Sequence, residues 1–251
     1  MRKIVCIAGL ARAGKDTFAS ELVYALAGLD CDVQLIRFAD PLKAASARLW
    51  GDVPDDTKEV KRMIMYEELI EVAKQTADML HVPQHSDFWY TLGRSFEQDY
   101  VPSVHGYNLS PRRLEQILGT EIMRRFYPGC FVDRVVRVSG DAEFTIVPDC
   151  RFENEQLIAD HLAFIYRDSV NGAEVPEHGS EALNRTIDLE LRAYTSLPEY
   201  HVRIPRALHV FDNSGTEDEI KAKAAAWGLS LSLDTVVSRP APAAPEGESN
   251  V

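Results

Sequence analysis

The chain has 251 residues, of which 39 are acidic and 27 basic, and its formal net charge is −12 at pH 7. This length accommodates one α/β domain with an insertion, and 45% hydrophobic and 26% charged residues are typical of a soluble globular protein. The acidic balance argues against a protein that coats a nucleic acid polymer, because such proteins carry basic surfaces.

The first predicted element is a strand that passes into a helix through a glycine-rich turn. Residues Ile4 to Ala8 form a continuous apolar run, which is typical of a strand buried on both faces of a parallel sheet. Gly9, Gly14 and Lys15 fit the pattern G-x-x-x-x-G-K-[ST], in which the following helix offers free N–H groups to an anion. Lys15 would reach the outer phosphates of a nucleoside triphosphate and is a predicted catalytic residue. The predicted nucleotide-binding residues are Gly9, Ala11, Arg12, Ala13, Gly14, Lys15, Asp16 and Thr17.

The last position of that pattern is Asp16, where a hydroxyl would normally bind Mg²⁺. A carboxylate there would hold the ion directly or through water, and Thr17 offers a hydroxyl one residue later. We therefore expect ATP and Mg²⁺ as cofactors, with Asp16 and Thr17 nearest the metal. The string G-x-x-x-x-G-K-D-T resembles the loop of the phage deoxynucleoside monophosphate kinases. It also resembles the loop of the animal phosphomevalonate kinases, so it leaves both families open.

A second strand is predicted from Val33 to Phe38, and Pro41 opens the next helix. Ligands of open α/β sheets bind beyond the carboxyl ends of the strands, so Arg37, Asp40 and Lys43 are predicted to line a phosphate-acceptor site. The alternative is that Asp40 caps the helix and Lys43 is solvated. The stretch resembles the F-A-x-P-[LI]-K sequence that follows the second strand of the phage kinases.

Residues 51–110 form an insertion relative to a minimal kinase. Hydrophobic spacing predicts helix from Asp56 to Leu80 and again from Asp87 to Tyr100. We expect a helical subdomain above the acceptor site.

The helix that starts at Pro111 contains the string Q-x-x-G-T-E-x-x-R, from Gln116 to Arg124. Glycine inside a helix costs about 1 kcal/mol relative to alanine, so Gly119 suggests the close approach of a neighbour or ligand. Gln116, Thr120 and Arg124 would form one polar stripe able to read a base edge and a phosphate. A kinked core helix with ordinary salt bridges is the alternative. The string closely resembles a signature of the phage kinases, which adds to the predicted substrate-binding residues Arg113, Gln116, Thr120, Glu121 and Arg124.

The next strand, Glu143 to Val147, is followed by Asp149 and Arg151. P-loop proteins place a Mg²⁺-linked or base-like carboxylate at such a strand end. Arg151 could bind the acceptor phosphate bidentately. Both residues are predicted to be catalytic, and the alternative is that they only pair with each other. The string D-x-R-F-x-N-E strongly resembles the same phage family.

A fourth strand is predicted from Ala163 to Arg167, and a loop follows it. Residues 168–186 are predicted to form a lid, with Arg167 and Arg185 as candidate arginines over the transferring phosphoryl group. An H-x-S-E element within the lid resembles one in the phage kinases.

A fifth strand is predicted from Leu208 to Phe211, and Asn213 and Gly215 lie in the turn after it. That turn could take the adenine of ATP through backbone contacts. It could equally be a plain turn, because Thr216 and Glu219 form a capping-box pattern for the following helix.

The C-terminal composition, the cysteines and the length of the apolar stretches restrict the class of protein further. Residues 236–251 are rich in proline and alanine and predict a disordered tail behind a single domain of residues 1–235. The four cysteines include no C-x-x-C pair, which indicates neither a zinc site nor a disulfide framework. No stretch reaches the ~18 apolar residues of a membrane span. We therefore expect a cytoplasmic protein, in the host cytoplasm if phage-encoded, with no membrane partner and no nucleic acid polymer as a partner.

The order of these elements predicts a three-layer α/β/α P-loop kinase fold with a mostly parallel five-stranded sheet and a helical insertion. The resemblance to the phage deoxynucleoside monophosphate kinases covers about Ile4 to Trp227. It implies transfer of the γ-phosphoryl group of ATP to a deoxynucleoside monophosphate. A phosphomevalonate-like kinase of another small acceptor, or a nucleotide-dependent switch protein, is the alternative. The sequence leaves open which base is accepted and whether the chain forms a homodimer.

Overall fold

The structure, a computed structural model, describes residues 2–51, 57–170, 182–194 and 208–237. A π-helical segment, Ile117–Met123, and two short 3₁₀ turns, Glu97–Asp99 and Pro102–Val104, supplement the regular elements. In chain order these elements are β1 (Lys3–Gly9), α1 (Lys15–Ala27), β2 (Val33–Leu35), α2 (Asp40–Trp50), β3 (Arg62–Met65), α3 (Tyr66–Leu80), α4 (Ser86–Ser95), β4 (Tyr100–Val101), β5 (Gly106–Leu109), α5 (Pro111–Gln116), α6 (Arg124–Phe126), α7 (Cys130–Val138), β6 (Phe144–Val147), α8 (Glu153–Gln156), β7 (His161–Tyr166), α9 (Ala182–Tyr194), β8 (Leu208–Asp212) and α10 (Glu217–Val237).

Five of the strands form a parallel sheet in the order β2-β6-β1-β7-β8. β1 lies in the middle, where Cys6 is opposite Val147 of β6 on one side and Leu162 of β7 on the other. The α/β fold class predicted from the sequence is confirmed, and the five-stranded sheet is wholly parallel rather than mostly parallel. The carboxyl ends of β2, β6 and β1 therefore lie side by side.

Helices cover both faces of this sheet. Val5 and Ile7 of β1 belong to an apolar cluster with residues of α1 and α10. Ile4, Cys6 and Ala8 belong to a second cluster with residues of α2, α3, α5 and α7. The alternation follows from the two-residue period of a strand, and it gives three layers with helices on either side.

The first helical layer is a close pair formed by α1 and α10. The Phe18 ring of α1 lies 5.9 Å from the Trp227 ring of α10, centroid to centroid. Gly228 allows the helices to approach, because a Cβ at that position would lie 3.3 Å from both Ala25 Cβ and Leu22 Cδ1. Both helices flank the end of β1, so their packing supports the turn after that strand.

The insertion contains a small antiparallel sheet in the order β3-β5-β4. Helix was predicted from Asp56, which is wrong for Arg62–Met65, because these residues form β3 opposite β5. Met63, Ile64 and Met65 are exposed, buried and exposed in turn, which is the two-residue period of a half-buried strand. The predicted helices are present as α3 and α4, but α4 ends at Ser95, and Tyr100, predicted as the last helical residue, lies in β4. The insertion is thus helical with a sheet at its edge.

Other boundaries differ from those predicted. β2 ends at Leu35 rather than Phe38, since the Phe38 N–H donates to a side chain instead of continuing the ladder. Helices α7 and α9 were not predicted. The tail was predicted to begin at residue 236, but α10 continues to Val237. Residues 238–251 of the predicted tail lie outside the described part of the chain. So do residues 171–181 of the predicted lid. No helix in the described ranges is long and apolar enough to cross a membrane.

Replacing Gly228 by leucine should lower the free energy of unfolding by about 1–3 kcal/mol, because the larger side chain must separate α1 from α10. Urea denaturation would measure the change. Gly93→Leu is the matched control, since Gly93 lies inside α4 and nothing stands within 4 Å of a Cβ built there. That control should gain up to about 1 kcal/mol of helix propensity. Equal effects at the two glycines would contradict the packing described.

Candidate active site

The turn after β1, called the glycine loop here (Gly9 to Lys15), is shaped by two glycines. Gly9 has φ +139° and Gly14 has φ +93°, both in a region that favours glycine. A Cβ on Gly9 would lie 2.4 Å from the Ile165 carbonyl oxygen, and one on Gly14 would lie 2.2 Å from Asn213 Nδ2. No larger residue fits either position, so the path of the loop requires both glycines.

Lys15 folds back over this loop. Its Nζ donates to the carbonyl oxygens of Gly9 (2.8 Å) and Leu10 (2.7 Å). Helix α1 begins at Lys15 and has no side-chain cap at its N-terminus. The N–H groups of its first turn therefore point toward the loop, as an anion site requires. Of the other predicted loop residues, Ala11 and Arg12 are exposed, whereas Ala13 is buried.

Asp16 forms an ion pair at the protein surface. Its carboxylate pairs with Arg37 at 3.0 Å, with 77% of the Asp16 side chain exposed. Thr17 lies one residue further on and lines a cleft with Gly14. Within the described residues, no group of three or more His, Cys, Asp or Glu side chains could hold a metal ion.

The cleft beside the loop lies between the ends of β7 and β8. Asn213 joins its walls, because Nδ2 donates to the Ala13 carbonyl (2.8 Å) and its backbone N–H donates to Tyr166 O (2.7 Å). Arg167, predicted as a lid residue, lies at the end of β7 and lines this cleft. The full lining is Gly14, Thr17, Arg167, Asn213, Gly215, Glu217 and Ile220.

The predicted capping box after β8 is confirmed. The Thr216 N–H donates to Glu219 Oε2 (2.8 Å), and the Glu219 N–H donates to Thr216 Oγ1 (3.3 Å). These bonds fix the start of α10, whose first residues form part of the cleft.

Asp149 joins two strand ends. Its Oδ1 accepts from the Phe38 N–H and its Oδ2 from the Ala39 N–H, each at 2.9 Å. Burial raises the pKa of the Asp149 carboxyl, and the two N–H donors, Arg151 and Lys43 oppose that rise without cancelling it. The carboxylate thus holds the segment after β2 against the end of β6.

Further bonds hold the same segment from the other side. Asp40 Oδ2 accepts from the Arg37 N–H (2.9 Å). Arg134 of α7 donates to the Arg37 carbonyl (3.1 Å) and lies 3.7 Å from Asp40. Sequence reasoning missed Arg134, because nothing in the pattern of α7 distinguishes it from a surface arginine. Arg37 and Asp40 thus lie together in the segment after β2, and Lys43 is exposed in α2.

The Q-x-x-G-T-E-x-x-R helix differs in geometry from the prediction. Residues Ile117–Met123 are π-helical, so side chains four residues apart do not form one straight stripe. Gln116 and Thr120 are half-buried, and Glu121 is exposed. Arg113 pairs with Asp99 of the insertion at 3.2 Å.

Gly119 and Arg124 of this helix contact the protein. A Cβ on Gly119 would lie 2.7 Å from Leu42 Cδ1, so the predicted close approach of a neighbour at this glycine is confirmed. Arg124, predicted to bind substrate, donates to the Gly119 carbonyl (3.1 Å) and to Glu155 Oε1 (2.5 Å). The structure thus brings the two signature strings into contact.

Asn184 of α9 is a second residue that the sequence did not indicate. It is buried, and its Nδ2 donates to the carbonyl oxygens of Gly9 (3.2 Å) and Cys150 (3.0 Å). It therefore ties α9 to the ends of β1 and β6. Arg185, predicted as a lid arginine, is its half-buried neighbour on the same helix.

No protein-family model matches the chain, and no curated protein matches it significantly. The solved structures that resemble it include the following three, each with a low TM-score. A sugar kinase from Janibacter sp. HTCC2649 is 9% identical, covering 96% of this chain and 100% of that chain with a TM-score of 0.36. Cobyrinic acid a,c-diamide synthase from Mycobacterium smegmatis with bound ADP and magnesium is 16% identical, covering 99% and 89% with a TM-score of 0.37. Apo McdA from Cyanthece is 16% identical, covering 99% and 87% with a TM-score of 0.34.

Similarities this weak carry no argument about activity, so the class rests on the geometry of the chain. A wholly parallel five-stranded sheet lies between helical layers, and a glycine-rich loop joins its central strand to the first helix. This is an α/β fold consistent with the P-loop NTPase-like class.

Asp149→Asn should lower the free energy of unfolding by about 1–3 kcal/mol, because an amide NH₂ would replace an oxygen that accepts a backbone N–H. Chemical denaturation would measure the loss. Asp141→Asn makes the same change at an exposed residue before β6 and should stay within about 0.5 kcal/mol of the parent. An Asp149→Asn variant with the same free energy of unfolding as the parent would show that the bridge between the strand ends contributes no stability.

Proposed function

We propose that the protein transfers the γ-phosphoryl group of ATP to the 5′-phosphate of a deoxynucleoside monophosphate, giving ADP and a deoxynucleoside diphosphate. The observation that carries the proposal is the adjacency of three strand ends. The glycine loop follows β1, Asp149 and Arg151 follow β6, and Arg37 follows β2, and these strands are neighbours in the sheet. A donor on the loop and an acceptor beside the arginines would therefore meet at one edge of the sheet.

The glycine loop fits a nucleoside triphosphate with its magnesium ion. The Ile165 carbonyl leaves no room for a Cβ at Gly9, and the Asn213 side chain leaves none at Gly14; α1 has no side-chain cap. Lys15 and the loop N–H groups would hold the outer phosphates. Thr17 and Asp16 would hold the metal, which in nucleotide complexes needs only one or two protein oxygens. When bound, the magnesium ion would supply neutralisation of the phosphate charge.

Three cations near Asp149 are assigned to the acceptor phosphate. Arg37 is half-buried beside Asp16, whereas Lys43 and Arg151 are exposed on adjacent turns. A guanidinium can bind a phosphate through two parallel N–H groups, which suits Arg37 and Arg151. Catalysis would come from positioning and charge neutralisation, without a covalent intermediate.

The remaining site residues are assigned to the adenine of ATP, to the base of the acceptor nucleotide and to the predicted lid. The cleft lined by Arg167, Asn213 and Gly215 is proposed to receive the adenine of ATP. Gln116 and Thr120 are proposed to contact the base of the acceptor. Asp40 and Arg113 are proposed to hold neighbouring segments, and Glu121 is exposed beside the acceptor base. Arg185 lies in α9, within residues 168–186 of the predicted lid, and is proposed to act there as a lid arginine. We assign the protein to the cytoplasm, where both nucleotides are available.

The test is ADP release in the presence of ATP, Mg²⁺ and each of the four deoxynucleoside monophosphates in turn. Turnover is expected with one or more of them. Lys15→Ala should lower kcat by about 10²–10³-fold, because it removes a cation that stabilises charge on the transferring group. Lys74→Ala, on the exposed face of α3, is the matched control and should leave turnover unchanged.

The other outcomes separate the alternatives. ADP release that is indifferent to every monophosphate would contradict the proposal and favour a nucleotide-dependent switch protein. ADP release that requires another phosphorylated metabolite would favour a phosphomevalonate-like kinase. The Lys15→Ala variant serves both cases, because each alternative also uses the glycine loop.

A further inference from the structure

The ion pair of Arg124 and Glu155 lies beneath the turn that carries Asp149 and Arg151. We call residues 149–152 the 149–152 turn. The Glu155 side chain is 1% exposed and the Arg124 side chain 16%, and the two are joined at 2.5 Å. Burial raises the pKa of the Glu155 carboxyl, and Arg124 opposes that rise. A buried pair of this kind is weak evidence for stability, since apolar residues can replace it at little cost. Its contacts point to another role.

Glu155 holds the turn by its backbone. One carboxylate oxygen, Oε1, accepts from Arg124, and the other, Oε2, accepts from the N–H groups of Arg151 (2.8 Å) and Phe152 (3.1 Å). The carboxylate therefore fixes the backbone from which the Arg151 guanidinium projects. The string D-x-R-F-x-N-E contains both the arginine and the carboxylate that orients its backbone.

Arg124 fixes the carboxylate in turn. Its guanidinium carbon lies 4.1 Å from the centroid of the Phe131 ring and 4.0 Å from that of Phe152, so the cation is held between two aromatic faces. It also donates to the Gly119 carbonyl at 3.1 Å. A planar guanidinium can stack and donate in two directions at once, which a lysine ammonium cannot do.

We infer that Arg124 and Glu155 are positioning residues for Arg151 rather than ligands of the substrate. The inference rests on the proposed function, in which Arg151 binds the acceptor phosphate. Arg124 links the π-helical segment to the carboxylate, and the carboxylate links to the 149–152 turn. Arg124 of one signature string and Glu155 of the other thus act together, and they set the position and direction of Arg151 at the sheet edge.

The test uses a double variant, Arg124→Met/Glu155→Met, because removing one partner alone would leave a buried charge and threaten folding. The double variant should still fold, with a Tm lowered by about 4–10 °C, because the N–H groups of Arg151 and Phe152 lose their acceptor. Its kcat/KM for the monophosphate should fall by about 10²-fold, since a displacement of about 1 Å at the reacting centre has that effect. Its KM for ATP should not change. Amide hydrogen exchange of peptides covering the 149–152 turn should become faster, whereas exchange at the glycine loop should not.

The matched control is Arg94→Met/Glu97→Met, which removes an arginine–glutamate pair that is 61% exposed on both sides. It should change neither kinetics nor exchange. A folded Arg124→Met/Glu155→Met variant with parental kcat/KM and parental exchange would overturn the inference. An equal loss toward ATP and the monophosphate would also overturn it, because that pattern reports general disruption. If the parent protein turns over no monophosphate, the proposed function fails, and the exchange measurement alone decides the positioning role.

Discussion

The site depends on one carboxylate that accepts two backbone N–H groups from the segment after a neighbouring strand. The chain leaves β2 at Leu35, and the N–H groups of Phe38 and Ala39 then have no strand partner. A buried N–H without an acceptor is costly, so the segment needs an acceptor of fixed position. Asp149 supplies it from the end of β6. The position of Arg37 relative to the glycine loop follows from that bridge.

The same arrangement is repeated on the far side of the turn. Glu155 accepts two N–H groups from the turn that follows Asp149, and Arg124 holds Glu155 between two phenylalanine rings. Asn184 adds a third tie, to the carbonyl oxygens of Gly9 and Cys150. Polar side chains thus replace the sheet ladder at the point where the strands end. The edge of the sheet keeps a defined shape although little regular structure remains there.

Local patterns in the sequence predicted the parts of the fold that depend on local physics. The apolar run of β1, the glycine spacing and the capping box at Thr216 each involve residues within one or two turns of each other, and all were recognised. The small β3 strand was missed, because Val60 and Ile64 are four residues apart and so also fit the helical period of the following helix. The π-helical segment was not predicted, since its local pattern does not distinguish i→i+5 from i→i+4 hydrogen bonding.

Residues of the site that act through distant partners were equally hard to predict. Asn184 and Arg134 lie in helices without a recognisable motif, and their partners are far away in sequence. Asp16 was assigned to metal binding from its place in the pattern, and the pattern did not indicate the ion pair with Arg37 that the structure adds. Arg124 was recognised as part of a signature, but its stacking between two rings is visible only in three dimensions. The strings marked two segments that pack together in the structure, without revealing which of their side chains contact each other.

The carbonyl oxygens of the glycine loop compete with a phosphate ligand for the ammonium group of Lys15. In the structure, the ammonium group satisfies the carbonyl oxygens of Gly9 and Leu10. An anion that draws the ammonium away must compensate for both bonds, which a weakly charged ion does poorly and a polyphosphate does well. Binding at the glycine loop therefore favours ligands of high negative charge.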